Sequence, residues 1–229
     1  MSNLAIIPAR GGSKRIPRKN IKTFLGKPII AYSIQAALDS KLFDEVMVST
    51  DDMEIANIAI KYGAKVPFMR SNHASNDFAT TADVIREVLL EYRKIGRFFE
   101  TACCMYATAP FITSKLLNKS FELLQTGQYK TVIPIMPFSF PIQRGLKQIG
   151  TKIEMAFPEY TNSRSQDLEQ IYHDAGQFYF LRTNSFLETN LIWTNETGGI
   201  LISELEAHDI DNEVDWQLAE MKFKLINYL

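Results

Sequence analysis

The chain has 229 residues, enough for one large α/β domain, and 46% of them are hydrophobic, which is ordinary for a globular protein with a sizeable core. Its 25 lysine and arginine residues nearly balance its 26 aspartate and glutamate residues, which argues against the basic surface of a nucleic-acid-binding domain. The opening apolar run Leu4–Pro8 is too short for a signal peptide, and no segment approaches the ~20 consecutive apolar residues that cross a bilayer.

Short apolar runs alternate with helical patterns through the first two thirds of the chain, which predicts a mostly parallel sheet sandwiched by helices. The predicted strands are 4–8, 45–50, 65–69, 101–106, 131–136 and 177–181. A first helix is predicted to begin at Pro28, a second to pass through Ile55 and Ala59, and a later one to follow a cap at Thr113.

Two further helices differ in the kind of signal that predicts them. Thr80–Lys94 has apolar residues every three or four positions, and Thr80 with Asp83 forms a capping pattern. The last helix is predicted to start at Asn212 and to bury the following apolar residues: Val214, Leu218, Met221 and Leu225.

The alternation of strands and helices breaks between residues 137 and 169. The runs 146–149 and 152–156 flank a Gly150-Thr151 turn and predict a hairpin, whereas 162–169 is polar and typical of a loop. We interpret 137–169 as an insertion for ligand binding or a dimer contact, within one domain that spans 1–229.

The only two cysteines are neighbours, Cys103 and Cys104, in a predicted strand. Successive strand side chains point to opposite faces, so two packed thiols are favoured over a redox pair. With no disulfide framework possible, a cytoplasmic protein is expected.

Positive charge is concentrated in the loop after the first strand, Pro8–Asn20, which holds Arg10, Lys14, Arg15, Arg18 and Lys19. The loop has only two glycines, Gly11 and Gly12, so it lacks the G-x-G-x-x-G dinucleotide pattern, and the later Gly26-Lys27 is followed by proline rather than by Ser or Thr. Paired glycines and cations at the carboxyl end of a strand nevertheless predict phosphate binding. The alternative is a solvated basic loop.

Asp209 and Asp211 have the period-two spacing that places two carboxylates on one side of an extended segment. Such a pair suits a hard divalent cation. The alternative is helix capping, because Asn212 and Asp215 resemble a capping box. Capping leaves Asp209 without a role.

The loop PARGGSKRIPRKN resembles the nucleotide-binding loop of the CMP-nonulosonate synthetases, which activate sialic-acid-type sugars with CTP. The family pattern A-R-x-x-S-K-x-x-P-x-K-N is matched in register by Arg10, Ser13, Lys14, Pro17, Lys19 and Asn20. The resemblance continues through VSTDD (48–52), Arg70, Asp77, Thr80, ATAP (107–110), Arg164, AGQFY (175–179) and HDIDNEVDW (208–216).

The resemblance implies a Rossmann-like nucleotidyltransferase fold and a nucleotide site. The implied nucleotide-binding residues are Arg10, Gly11, Gly12, Ser13, Lys14, Lys19, Asn20, Arg70 and Thr80. It also implies that Asp209 and Asp211 bind Mg²⁺ on the triphosphate and that Arg10, Lys14 and Asp211 are catalytic. Arg15 and Arg18 have no counterpart in the pattern and are expected to face solvent.

The implied reaction transfers CMP from CTP to an acidic nine-carbon sugar and releases pyrophosphate, in a protein expected to be a homodimer. Candidate sugar-binding residues are Gln143, Arg144, Arg164, Phe178 and Tyr179. The motifs YATAPF and YHDAGQFYF are closer to the pseudaminic acid branch than to the sialic acid branch. Alternatives are CMP-sialic acid, CMP-legionaminic acid and CMP-Kdo synthetases, a hexose-phosphate pyrophosphorylase, or a non-catalytic nucleotide-binding regulator.

Overall fold

The structure is a computed structural model that describes residues 2–227. Its strands are β1 Asn3–Pro8, β2 Thr23–Phe24, β3 Lys27–Pro28, β4 Glu45–Ser49, β5 Thr101–Met105, β6 Thr131–Pro137, β7 Leu146–Ile149, β8 Lys152–Met155, β9 Tyr172–Asp174, β10 Phe178–Arg182 and β11 Thr197–Leu201. Its helices are α1 Ile30–Ser40, α2 Met53–Lys61, α3 Asn72–Ser75, α4 Thr81–Lys94, α5 Ser114–Thr126, α6 Thr183–Thr189 and α7 Glu213–Asn227.

Seven strands form the central sheet, in the order β11-β6-β10-β5-β1-β4, with β9 added on β6. Strand β1 lies between β4 and β5 and is parallel to both. Strand β10 is antiparallel to β5 and to β6, whereas β11 is parallel to β6. The predicted class, a mostly parallel sheet covered by helices, is confirmed, with β10 reversed inside the sheet and the short β9 reversed beside β6.

Both faces of β1 are buried, because alternate side chains point to opposite sides of a strand. Ala5 and Ile7 pack in a cluster with α1 and α5 residues such as Ile34. Leu4 and Ile6 pack in a second cluster with α4 residues such as Val88. The loop that follows β1 therefore emerges from a rigid, two-sided core.

Several local predictions are confirmed by the structure. Thr80 caps α4 in a capping box, in which its hydroxyl accepts from the Asp83 amide at 3.2 Å and the Asp83 carboxylate accepts from the Thr80 amide at 2.9 Å. Thr113 caps α5 with a single hydrogen bond, in which its hydroxyl accepts from the Leu116 amide at 3.2 Å. Strands β7 and β8 form the predicted hairpin, with Gly150 at positive φ in the turn.

Cys103 and Cys104 are both fully buried and unpaired, and they belong to different clusters on the two sides of the sheet. Burial raises the pKa of both thiols, so they pack as apolar groups. None of the helices within 2–227 is long and apolar enough to cross a membrane.

Two predicted features are wrong. Residues 65–69 form no strand, because this segment contributes only an isolated bridge between Lys65 and Met47. Helix α7 buries Trp216 and Ala219 and exposes all four of the residues predicted to face the core, Val214, Leu218, Met221 and Leu225. The tryptophan decides this orientation, since its ring packs edge-on against buried Phe24 with centroids 5.6 Å apart.

Candidate nucleotide site

The basic loop is held against the sheet by polar contacts at several points. The Gly11 amide donates to the Asp51 carboxylate at 2.9 Å, and the Asn20 side chain donates to the Arg10 carbonyl at 2.9 Å. Gly11 is needed for close approach, because a Cβ there would lie 2.8 Å from a carboxylate oxygen of Asp52. Gly12 has open space around it, so its backbone is accessible rather than tightly packed.

A cavity of about 270 Å³, here the loop cavity, opens between this loop and the start of α4. Seven of the nine predicted nucleotide-binding residues line it: Arg10, Ser13, Lys14, Lys19, Asn20, Arg70 and Thr80. Gly11 and Gly12 do not line it. The structure thus brings residues from three separate segments of the chain to one concave surface.

The Asp77 carboxylate lies between the two cations predicted to hold the triphosphate. Arg10 Nη1 lies 3.1 Å from Asp77 Oδ1, and Lys14 Nζ lies 2.5 Å from Asp77 Oδ2. Hydrogen bonding and charge from Lys14, assisted by Arg10, lower the pKa of Asp77 below its usual range. Both cations therefore converge on one anion, which is the arrangement that binding a phosphate requires.

Arg70 is a buried cation in the wall of the loop cavity. Its guanidinium donates to the hydroxyl of Ser49 at 3.0 Å and to the Ser49 carbonyl. Burial lowers the pKa of Arg70. A buried guanidinium facing a cavity is stabilised when an anion or a polar ring occupies that cavity.

Arg15 and Arg18 pair with carboxylates, so the expectation that they simply face solvent is wrong in part. Arg18 contacts Asp52 at 2.5 Å and also Glu54, and Asp52 is the residue that caps α2. Arg15 is largely exposed, yet its Nη1 lies 2.7 Å from Asp211 Oδ2. A spacing rule could not find these pairs, because each joins distant segments.

The segment that carries Asp209 and Asp211 is held in place by the burial of Ile210 and by a hydrogen bond from Lys19. Ile210 is buried between Asp209 and Asp211, and Lys19 Nζ donates to its carbonyl at 2.6 Å. Desolvation lowers the pKa of Lys19 although both carboxylates favour its charge. Lys19 thus ties the basic loop to the predicted metal ligands.

Capping of α7 is performed by Asn212 and Asp215. The Asn212 side chain accepts from the Val214 and Asp215 amides at 2.8 and 3.0 Å, and Asp215 accepts from the amides of Asp211 and Asn212 at 2.9 and 3.0 Å. The Asp209 and Asp211 side chains therefore do not cap α7, and Asp211 pairs with Arg15 instead.

Within residues 2–227, no three His, Cys, Asp or Glu side chains cluster closely enough to hold a metal ion alone. Two carboxylates fit Mg²⁺, which is commonly bound by one or two protein carboxylates together with substrate phosphates. The Asp209 and Asp211 pair is of this kind, so the donor set fits a metal that arrives with a triphosphate.

The predicted sugar-binding residues do not come together in this chain. Gln143, Arg144 and Arg164 lie in the insertion and line neither this cavity nor the second one described below. Their donors bind within the insertion: Gln143 to the Glu169 carbonyl, Arg144 to the Ser163 carbonyl and Arg164 to Asp167. Phe178 is fully buried in the core cluster beneath α1 and α5, so its assignment to the sugar side is wrong.

Tyr179 points to the other face of β10 and lines a second, larger cavity of about 520 Å³, here the tyrosine cavity. Its apolar wall comes from the segment after α6, Leu191, Ile192 and Trp193. Thr80, Thr81 and Tyr106 line both cavities, so the two spaces meet there. Sequence reasoning missed Thr81 and the 191–193 segment, which carries no recognisable motif.

A chain of hydroxyl groups runs through the wall between the cavities. Tyr179 donates to Asp174 Oδ2 at 2.5 Å, and the Tyr106 and Tyr179 hydroxyl oxygens are 3.4 Å apart. Thr81 Oγ1 lies 3.2 Å from the Tyr106 hydroxyl. Burial raises the pKa of both tyrosines, so both rings stay neutral.

Comparison with known proteins shows which family the chain belongs to. The family model described as Cytidylyltransferase matches residues 4–197. A pseudaminic acid cytidylyltransferase of Campylobacter jejuni is 41% identical over 98% of this chain and 97% of its own. A CMP-N,N'-diacetyllegionaminic acid synthase of Legionella pneumophila is 33% identical over 98% of this chain and 97% of its own.

Among solved structures, a CMP:2-keto-3-deoxy-manno-octonic acid synthetase complexed with CTP superposes with a TM-score of 0.72, covering 100% of both chains at 16% identity. At that identity the likeness shows the fold alone. The family-model match and the two full-length relatives show more: this chain belongs to the cytidylyltransferase family.

Proposed function

We propose that this chain transfers CMP from CTP to a nonulosonic acid and releases pyrophosphate, with pseudaminic acid as the preferred sugar. The observation that carries the proposal is the convergence of Arg10 and Lys14 on one anion in the loop cavity. The pseudaminic acid cytidylyltransferase that is 41% identical over nearly the full chain supports the choice of sugar.

In this reaction the anomeric hydroxyl of the sugar attacks the α-phosphorus and loses its proton to water, an O–P bond forms, and the bond from the α-phosphorus to the bridging oxygen breaks. The protein has no covalent step to perform, so its task is positioning and charge neutralisation. Arg10 and Lys14 would bind the phosphates and stabilise the departing pyrophosphate. Asp77 must release both cations when CTP enters.

Asp209 and Asp211 are the residues that would hold Mg²⁺. A bound Mg²⁺ supplies charge neutralisation and orientation of phosphate oxygens. Arg15 contacts Asp211, so this ion pair must open before the carboxylate can bind metal. Lys19 keeps the Asp209–Asp211 segment beside the loop through the Ile210 carbonyl.

The tyrosine cavity is the space we assign to the sugar. It adjoins the loop cavity at Thr80, Thr81 and Tyr106, and an attacking hydroxyl must reach the phosphate at such a junction. Its apolar wall at 191–193 suits the terminal methyl group of pseudaminic acid. Discrimination by one methyl group is about 1–3 kcal/mol.

The test is pyrophosphate release from CTP and Mg²⁺ with pseudaminic, N-acetylneuraminic and legionaminic acids, Kdo, and a hexose 1-phosphate. Pseudaminic acid should give a kcat/KM more than ~10-fold above that of N-acetylneuraminic acid. Equal turnover of pseudaminic and N-acetylneuraminic acids would overturn the assignment of the sugar but not the assignment of the cytidylyltransferase activity. CTP binding without release for any sugar would favour a regulator.

The proposal includes a homodimer and a cytoplasmic location. The hairpin of the insertion exposes Leu146 and Ile153 on one of its faces, and an exposed apolar patch supports a subunit contact. The buried, unpaired thiols of Cys103 and Cys104 fit a reducing compartment.

A further inference from the structure

We propose that Asp174, acting through Tyr179, sets the direction of the hydroxyl chain so that Tyr106 and Thr81 present hydrogen-bond acceptors to the attacking sugar hydroxyl. The inference rests on the proposed function and adds a positioning residue to it. Asp174 lies at the end of β9, and both β9 and β10, the strand that carries Tyr179, are antiparallel to β6.

The direction follows from the number of protons each group carries. The two Asp174 oxygens accept from the Gly176 amide at 2.8 Å and from the Tyr179 hydroxyl at 2.5 Å. A phenol has one proton, so Tyr179 can interact with Tyr106 only as an acceptor. Tyr106 must then donate to Tyr179 and accept from Thr81.

The acceptor end of this chain lies where the two cavities join. Thr81 and Tyr106 line both cavities, whereas Tyr179 lines only the tyrosine cavity. The rings of Tyr106 and Tyr179 meet edge to face with centroids 5.7 Å apart, which holds both hydroxyls in place. Thr81 is held as the first residue of α4 behind the Thr80 cap.

A sugar hydroxyl at the junction would donate a hydrogen bond to Thr81 or Tyr106 and turn a lone pair toward the phosphorus. The pKa values of both tyrosines are raised by burial, so neither hydroxyl ionises. The row of hydroxyl groups then fixes only which oxygen donates and which accepts. If the hydroxyl hydrogen bonds ran in the opposite direction, Thr81 and Tyr106 would present donors. These donors would compete with the phosphorus for the lone pair of the sugar hydroxyl oxygen.

Tyr179→Phe tests the link, because it keeps a buried ring and removes only the hydroxyl. We expect kcat with pseudaminic acid to fall ~10-fold, the worth of about one hydrogen bond, while the Kd for CTP measured without sugar stays unchanged. Asp174→Asn keeps the shape but offers an amide that can donate to Tyr179, and it should produce a similar loss.

The matched control is Tyr92→Phe, because Tyr92 is also buried and its hydroxyl also donates to a carboxylate, that of Glu45, outside both cavities. It should lower the thermal midpoint and keep kcat and KM. The double variant Asp174→Asn/Tyr179→Phe should lose no more kcat than either single variant, since both interrupt one chain.

Three results would overturn the inference: an unchanged kcat in Tyr179→Phe, an equal kcat loss in Tyr92→Phe, or additive losses in the double variant. Failure of the proposed function has a different signature, because the unmodified chain would then release no pyrophosphate with any acidic sugar. That result overturns both proposals.

Discussion

Lys14 has 76% of its side chain exposed, yet its ammonium lies 2.5 Å from Asp77 on the wall of the loop cavity. A surface ion pair of this kind adds little to stability. The fold therefore gains little from this contact, and in the proposed site Asp77 would hold the Lys14 side chain until a phosphate replaces it.

Lys14→Ala should lower kcat/KM for CTP at least ~100-fold, since a charge-assisted contact to the transition state is worth roughly 3 kcal/mol. The thermal midpoint should not change, because no core contact is lost. Lys61→Ala is the control, as an exposed lysine at the end of α2. Tight CTP binding and full activity in Lys14→Ala would remove Lys14 from the site.

Asp209→Asn and Asp211→Asn should each raise the Mg²⁺ concentration needed for half-maximal activity, since an amide is an uncharged and poorer ligand. Asp215→Asn is the matched control, because Asp215 accepts the capping hydrogen bonds of α7. It should lose stability in a thermal melt and keep normal Mg²⁺ activation. If Asp209→Asn and Asp211→Asn instead lost stability and kept normal Mg²⁺ activation, the two aspartates would be assigned to capping.

Glu45 is a buried carboxylate at the start of β4. It lies beside the start of β1, at the opposite end of these two parallel strands from the basic loop. It accepts from Lys65 at 2.9 Å and also from Tyr92 and Arg97. Burial alone would raise its pKa, but these hydrogen bonds more than offset that effect and hold the pKa of Glu45 below its ordinary value of 4.5.

A pKa lowered by folding gives stability that is present above the unfolded-state pKa and is lost as the pH falls through the folded-state pKa. Urea unfolding should therefore show the stability of the unmodified chain dropping below pH 4.5. Glu45→Gln should cost roughly 1–3 kcal/mol at pH 7 and should lose less on acidification. A parallel pH dependence in both proteins would contradict this assignment.

At the scale of elements, α7 shows how one helix can carry two apolar stripes. Trp216 and Ala219 face Phe24 and the basic loop, whereas Met221 is 66% exposed. Periodicity alone selected the stripe with more apolar residues. Volume decided the outcome, because a tryptophan buries more apolar surface than any single residue of the other stripe.

Trp216→Ala should destabilise the protein by about 3–5 kcal/mol, the usual cost of a large cavity in a core. Met221→Ala should change the free energy of unfolding by less than ~0.5 kcal/mol, as expected of an exposed position. Urea denaturation of both variants would measure this. A comparable loss of stability in both variants would mean that the stripe containing Met221 is also buried in solution.

At the scale of the whole molecule, the insertion places its hairpin away from both cavities. Leu146 and Ile153 lie on one face of the hairpin, because Leu146 pairs with Met155 and Gln148 pairs with Ile153. Both side chains are exposed in the single chain. This face is the one that a second copy would cover in the proposed homodimer.

The double variant Leu146→Ser/Ile153→Ser should therefore shift the molar mass measured by light scattering from that of a dimer to that of a monomer. Lys147→Ser is the control, since Lys147 points to the opposite face of β7. An unchanged mass in the double variant would place the subunit contact elsewhere, and a monomeric unmodified chain would contradict the dimer itself.

Features that depend on neighbours a few residues away were determined by the sequence alone. The Thr80 cap, the β7–β8 turn and the alternation of strands and helices are of this kind, because capping, turn geometry and periodicity act within a few residues. The family resemblance of the basic loop implied nine nucleotide-binding residues, of which seven line one cavity, and phosphate binding there stays a prediction.

Only the tertiary structure decided which partners these residues find. Lys14 meets Asp77 across 63 residues, and Tyr106 meets Tyr179 across 73. The reversed direction of β10, the orientation of α7 and the burial of Phe178 depend in the same way on what packs against each element. Pattern within the sequence cannot supply these choices, because several arrangements satisfy the same periodicity and only the packing of the whole chain distinguishes their energies.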